Sequence, residues 1–282
     1  MSKKWTIVSV NYKTESYFPW KLKSFYEFEN KDNFEYIVVD NSQIHDKPFW
    51  DDLKNKYSGL RVIPFIPIDV GRTSGEHAEG LNVGLNEAKK NNSDYLLVYD
   101  PDFFWVQKNL LDYFEREFKN ENYVAIGSPY TIALQHSNSQ IPCAFGAAYS
   151  MKFLEGIDFS TSKDPHELLI VGRDVGWKIR EKVVNTNSKF LTFSQSDVPM
   201  NERFPGQYSF EAILRQYFLN GKIISFHLHR GSFDDGLTKF QAENWRSDRS
   251  KDLHQPCDEW LFVREWYCQR YYDELKKSTG YL

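Results

Sequence analysis

Apolar runs that end in polar residues recur along the first half of the chain. Ile7, Val8 and Val10 form a short β-branched run that stops at Asn11-Tyr12, and this pattern predicts a buried strand over Trp5–Val10. Tyr36-Ile-Val-Val repeats it and stops at Asp40-Asn41, Leu60–Phe65 reads as a third strand, and Asp94-Tyr-Leu-Leu-Val-Tyr runs into Asp100-Pro101-Asp102. Between these runs the period changes. Leu22, Phe25 and Tyr26 stand at helical spacing within Tyr17–Phe28; Ala78, Leu81, Leu85 and Ala88 fall on one stripe; and Leu110, Leu111, Phe114 and Phe118 mark a helix over Val106–Phe118. Strand, helix, strand, with polar residues closing each strand, predicts an open parallel sheet that takes its ligands at the carboxyl ends of its strands. Those ends are Asn11, Asp40 and Asp100.

The second half is less regular. Tyr123–Gly127 reads as a further strand, Tyr130–Gln140 as a polar surface loop, and Ile141–Ser150 as a run of small residues that lets backbone or ligand come close. Val175, Ile179 and Val183 share a helical face. Phe210, Ile213, Leu214, Tyr217 and Phe218 predict a helix over Gln207–Leu219 with Asn220-Gly221 as its C-cap. Lys222–His229 reads as a strand, Gly231–Gln255 as a polar arm without a period, and Pro256 opens an aromatic-rich amphipathic helix containing Trp260, Val263, Trp266 and Tyr271. The organisation expected is two halves of one domain, 1–130 and 131–232, followed by an arm and helix over 233–282.

Composition narrows the class. At 282 residues the chain is long enough for one large α/β domain, and its net charge of −4 argues against nucleic acid, which calls for a basic face. Three cysteines without CxxC spacing point to neither a disulfide frame nor a zinc site, so a reducing cytoplasm is the expected compartment. The opening apolar run is too short for a signal peptide, and nowhere do 18 apolar residues run together. Aromatic residues make up 17% of the chain, a share that suits both a core and a surface on which sugars or bases stack.

The densest chemistry is Asp100-Pro101-Asp102. Residues two apart on an extended chain point the same way, and Pro101 keeps Asp100 extended, so the two carboxylates converge. Two carboxylates this close repel unless a cation sits between them, and a hard divalent ion that also holds a diphosphate answers that need; the alternative is a turn bearing two solvated acids. Thr73 and Glu76 have capping-box spacing ahead of a helix that contains Gly80 and Gly84, each costing up to about 1 kcal/mol against alanine, which signals a close approach. Asp174 lies near a helix start, where a cap and a catalytic base are equally readable. His227 and His229 share one face of their strand, as metal ligands or as hydrogen-bonded structural side chains.

Taken in order, these residues resemble an inverting glycosyltransferase of the GT-A fold, most similar to glycosyltransferase family 2, over roughly residues 5–232. The similarity rests on Val-Ser-Val-Asn11-Tyr12, Val38-Val39-Asp40-Asn41, the helix segment Glu76–Gly84 with Asn82, Tyr99-Asp100-Pro101-Asp102, Asp174 with Arg180, and His227-Leu-His229-Arg-Gly231. It departs at Arg173, where the family carries an acid, and it lacks the Gln-x-x-Arg-Trp element of processive members. The resemblance implies a Rossmann-like, mostly parallel sheet flanked by helices, with residues 1–130 binding a nucleotide-sugar and 131–232 an acceptor. It implies nucleotide contacts from Asn11, Tyr12, Asp40, Asn41, Asn82 and Asp100, and Mn2+ or Mg2+ on Asp100, Asp102 and His229. Asp174 becomes the general base, and Arg173, Arg180 and His227 candidate acceptor or phosphate contacts. The implied reaction is a single sugar addition from a nucleoside-diphosphate sugar, UDP-sugar favoured, to a glycan, lipid-linked or protein-linked hydroxyl in polysaccharide or glycoconjugate synthesis. Peripheral contact with a membrane and the oligomeric state stay open. A sugar nucleotidyltransferase, or a non-catalytic carbohydrate- or nucleotide-binding module on the same fold, is the alternative.

Overall fold

The computed structural model describes residues 4–12, 14–42, 44–68, 73–129, 140–164, 167, 173–199 and 213–229. The polar arm, the aromatic-rich helix after Pro256 and most of the loop expected at Tyr130–Gln140 lie outside them. The chain forms two compact units. One takes in residues up to Tyr12, Phe28–Asp100 and Asn109–Ser194; the other takes in Lys13–Glu27, Pro101–Lys108 and residues from Gln195 on.

The first unit is built on a seven-stranded sheet. Its strands are β1 (Trp5–Asn11), β2 (Phe34–Asp40), β3 (Leu60–Pro64), β4 (Tyr95–Tyr99), β6 (Ala125–Pro129), β7 (Pro142–Ser150) and β8 (Phe190–Thr192), in the order β3-β2-β1-β4-β7-β6-β8. All neighbours run parallel except β7, which opposes both β4 and β6. This is the α/β class expected, with a mostly parallel sheet. The central strands β1, β2 and β4 are buried almost throughout, which is why their sequences read as continuous apolar runs rather than alternating ones.

Helices cover both faces of this sheet. On one, α3 (Thr73–Lys90) sets Ala78, Leu81, Leu85 and Ala88 against Val8 and Val10 of β1, Ile37 and Val39 of β2 and Val98 of β4, and α5 (Trp177–Asn185) adds Ile179 and Val183. The two α3 glycines find their reason here. A Cβ on Gly84 would fall 2.4 Å from Val8 Cγ1, and one on Gly80 would fall 2.8 Å from Val10 Cγ1. On the other face, α4 (Leu110–Asn120) stacks Phe118 on Tyr95 at 5.0 Å between ring centroids, and Tyr95 stacks on Trp5 at 4.7 Å. A further helix, α2 (Lys47–Lys56), is capped by Asp46 and buries Trp50 and Leu53.

The small residues of β7 are likewise explained by backbone. A Cβ on Gly127 of β6 would lie 2.5 Å from the Gly146 carbonyl oxygen, so the two strands need glycine and alanine where they meet.

The second unit carries a four-stranded sheet in the order β5-β11-β10-β9, from β5 (Phe103–Trp105), β9 (Ser194–Pro199), β10 (Ile213–Leu219) and β11 (Lys222–His229). Here the sequence expectation is corrected: residues 213–219 are a strand, not the end of a helix. Arg215, Tyr217 and Leu219 are buried in alternation with Gln216 and Phe218, which is strand period. Asn220 and Gly221 both have positive φ, 51° and 76°, so they form a two-residue hairpin turn between β10 and β11 rather than a helix cap. Helix α1 (Phe18–Phe28) follows a 3-10 turn at Glu15–Tyr17, and the Tyr17 ring meets Phe104 edge-on at 6.2 Å.

Candidate functional site

Parallel register places Asn11 beside Asp40 at the ends of β1 and β2. Asp40 is fully buried, and donors surround it. Asn11 Nδ2 donates to Oδ1 at 2.8 Å and Ser42 N at 3.1 Å; Trp50 Nε1 donates to Oδ2 at 3.0 Å, and His45 Nδ1 meets the same oxygen at 2.5 Å. Asn41 bonds through its backbone N–H to the Asn11 carbonyl and through Nδ2 to the carbonyl of Glu76, tying β2 to the first turns of α3. Tyr12 follows directly after β1 and is half-buried. Asn82 sits deeper along α3, where it accepts from the Phe159 backbone N–H at 2.7 Å and donates to Ser160 at 3.2 Å.

At the end of β4, Asp100 N donates to the Phe145 carbonyl of β7, and Asp100 Oδ1 lies 3.4 Å from His77 Nε2 on α3. One residue later the chain enters the second unit. Asp102 is fully buried, and neither of its carboxylate oxygens has a hydrogen-bond partner among the described residues. His227 Nε2 of β11 stands 3.3 Å from Asp102 Oδ1, within ion-pair distance. Burial works against charge on Asp102; the neighbouring His227 and the buried Lys21 more than offset it and hold the carboxyl below the usual carboxylate range. Two chain steps span at most about 7 Å between Cα atoms, so Asp100 is held near Asp102 by the backbone itself. Asp102 and His227, both in the second unit, each offer a ligand atom, and Asp100 stands two positions before Asp102 in the chain.

This donor set fits a divalent cation. Asp102 is buried with no hydrogen bond to its oxygens among the described residues, and carboxylate oxygens with an imidazole nitrogen are ligands that divalent cations take. The histidine beside Asp102 is His227; the side chain of His229, the residue singled out from sequence, lies outside the described residues.

Asp174 lies ahead of α5, where its carbonyl accepts from Trp177 N at 3.0 Å and its Oδ1 from Val175 N at 2.7 Å. Its neighbourhood is reported by Cys143 of β7. Burial pushes that thiol up to about 12, Arg180 draws it down, and Asp174 and Asp100 both raise it. Arg180 is buried and donates to the Val175 carbonyl at 3.4 Å. Arg173, where the resembled family has an acid, is paired with Glu167 at 2.5 Å and Glu181 at 3.1 Å and lies over the Trp177 ring at 4.6 Å. Its charge is matched locally.

Sequence reasoning missed His45 and His77. Together with His227, each stands against an aspartate that follows a strand: Asp40, Asp100 and Asp102. Spacing along the chain gives little warning, since only His45 is near its partner in sequence.

No family profile and no curated protein sequence matches this chain. Solved structures do. S. aureus TarS 1-349 is 16% identical, with 60% of this chain and 54% of that one covered at a TM-score of 0.44. The mannosyltransferase PcManGT from Pyrobaculum calidifontis, in complex with GDP-Man and Mn2+, is 17% identical, with 68% and 55% covered at a TM-score of 0.48. The mannosyltransferase Ktr4p from S. cerevisiae is 12% identical, with 64% and 61% covered at a TM-score of 0.36. The chain thus spans about half the length of the first two.

Proposed function

We propose that this chain is a metal-dependent glycosyltransferase that moves one sugar from a nucleoside-diphosphate sugar, a UDP-sugar favoured, to a hydroxyl acceptor with inversion. The observation that carries the reading is Asp102, a buried carboxylate whose two oxygens have no hydrogen bond among the described residues, two positions from Asp100 and 3.3 Å from His227. These ligand types suit a cation, and Asp100 follows the carboxyl end of β4, where open α/β sheets take their ligands. The family resemblance of the strand-end motifs supports the same assignment.

Asp100, Asp102 and His227 would hold Mn2+ or Mg2+, which when bound supplies charge neutralisation and Lewis acidity at the diphosphate. The nucleoside lies over the ends of β1 and β2, near Asn11, Tyr12, Asp40 and Asn41. Asp174 accepts the proton of the acceptor hydroxyl as that oxygen attacks the anomeric carbon opposite the diphosphate, and attack from that side inverts the centre. A base in this role needs hydrogen-bond reach to the hydroxyl rather than a strongly displaced pKa. Arg180, buried on α5, is the candidate to contact phosphate or acceptor. The acceptor is a glycan, a lipid-linked or a protein-linked hydroxyl. No helix among the described residues is long and apolar enough to cross a membrane.

Calorimetric titration of UDP, GDP and dTDP, with and without Mn2+, on wild type and Asp102→Ala tests this. The expected result is binding of at least one nucleotide that needs both the metal and Asp102. Binding that ignores both would leave a nucleotide-binding module without this chemistry, and no binding of any of the three would overturn the reading.

A further inference from the structure

The carboxylate expected to meet the nucleobase is turned inward. Asp40 is fully buried, and its oxygens already receive Asn11 Nδ2, the Ser42 backbone N–H, Trp50 Nε1 and His45 Nδ1. A carboxylate accepts at about four lone-pair sites, so a base reaching for Asp40 would have to displace one of these donors. His45 is different: its side chain is 25% exposed, and it sits on the segment between the end of β2 and α2.

From this geometry we infer that His45, oriented by Asp40, is the group that reads the nucleobase. The inference rests on the nucleotide-binding reading above and names the specificity-determining residue within it. The chemistry follows from the ring. In the neutral ring, a hydrogen bond from Nδ1–H to the Asp40 carboxylate selects the tautomer in which Nε2 carries a lone pair. Nε2 lies on the side of the ring away from Nδ1, hence away from the buried carboxylate. The Asp40–His45 pair therefore carries the accepting character of a buried carboxylate outward by the width of one imidazole.

An outward acceptor matches bases that carry a ring N–H. Uracil and thymine offer N3–H and guanine offers N1–H, whereas cytosine and adenine present an unprotonated ring nitrogen at the corresponding edge and would set lone pair against lone pair. A site built to pair with a particular N–H rejects analogues that lack it, because its own polar group is then left unpaired. His45 thus selects the donor's base by one atom, and Asp40 acts as its positioning residue together with Trp50 and Asn11.

The test is a titration in Mn2+ of UDP, GDP, CDP, ADP and N3-methyl-UDP against wild type and His45→Phe. Wild type is expected to bind UDP or GDP about tenfold or more tighter than CDP and ADP, the factor associated with one hydrogen bond, and N3-methylation is expected to remove the same factor from UDP. His45→Phe is expected to bring the nucleotides to within about threefold of one another. The methylated nucleotide needs no variant, so the wild-type arm decides even if His45→Phe does not fold. Nucleotide binding with no preference for ring N–H, equal affinity for UDP and N3-methyl-UDP, or a preference that survives in His45→Phe would each overturn the role of His45 and leave the glycosyltransferase reading intact. Absence of all nucleotide binding would overturn both.

Discussion

Gly84→Ala in α3 is a perturbation whose sign divides two ideas about that helix. On helix propensity alone it stabilises, by about 1 kcal/mol. The structure says otherwise. The new Cβ would lie 2.4 and 2.7 Å from the two γ carbons of Val8 and 3.1 Å from its Cβ, where carbon atoms pack at about 3.5–4.0 Å. Val8 is fully buried between β2 and β4, and a β-branched side chain has one strongly preferred rotamer, so the valine has little room to turn aside. The helix must lift, and overpacking of this kind costs about 1–3 kcal/mol. After the propensity gain, a net loss of up to about 2 kcal/mol remains, read as a lower urea midpoint at unchanged m-value. In a Val8→Ala background both γ carbons are gone, and the same Gly84→Ala change is expected to become neutral or stabilising. That reversal in a double-mutant cycle is the signature of direct contact. A Gly84→Ala single variant more stable than wild type would refute the packing argument.

Two further outcomes follow from buried carboxylates. Burial pushes the Glu29 carboxyl up to about 8 even though Leu110 N and Leu111 N donate to it at 2.7 and 3.2 Å across the start of α4. The folded protein therefore holds a proton that the unfolded chain releases near 4.5, so stability falls as pH rises from about 4.5 to 8, by up to about 1.4 kcal/mol per unit. Denaturation midpoints across that range should show the slope, Glu29→Gln should flatten it, and a wild type as stable at pH 8 as at pH 5 would mean that the backbone donors outweigh burial. Asp40→Asn replaces one carboxylate oxygen with an NH2 group facing donors, so that either Trp50 Nε1 and His45 Nδ1 or Asn11 Nδ2 and Ser42 N lose their acceptor on residue 40. A loss of about 2–5 kcal/mol in unfolding free energy is expected, and a loss below 1 kcal/mol would show that the cluster repairs itself.

Much of the first unit was legible in the residues because its strands are buried on both faces and its helices on one. β1, β2 and β4 read as unbroken apolar runs, and α4 announced itself through Leu110, Leu111, Phe114 and Phe118, all buried. The errors have local causes. Residues 213–219 satisfy helical spacing and strand alternation at once, and the deciding signal, Asn220-Gly221, is also a good helix cap; only tertiary pairing with β11 settles the choice. Helix α2 was missed because just Trp50 and Leu53 face inward, although Asp46 followed by Pro48 is a start signal. Asp100 and Asp102 could be singled out because they stand two apart in the chain. The pairing of His227 with Asp102 and of His77 with Asp100 was not, since it depends on elements meeting that lie far apart in the chain.

The reversal of a single strand has an evolutionary corollary. Because β7 runs against both β4 and β6, the chain leaves β6 at Pro129 and re-enters the sheet at Pro142 on the same rim as Asp100. In an all-parallel sheet that connection would have to cross to the opposite rim, and any change in its length would strain the crossover. Here departure and return are neighbours, so the intervening residues can be lengthened, shortened or exchanged while the strands keep their register. The topology makes that stretch a cassette, open to insertion and deletion at little risk to the sheet beside it.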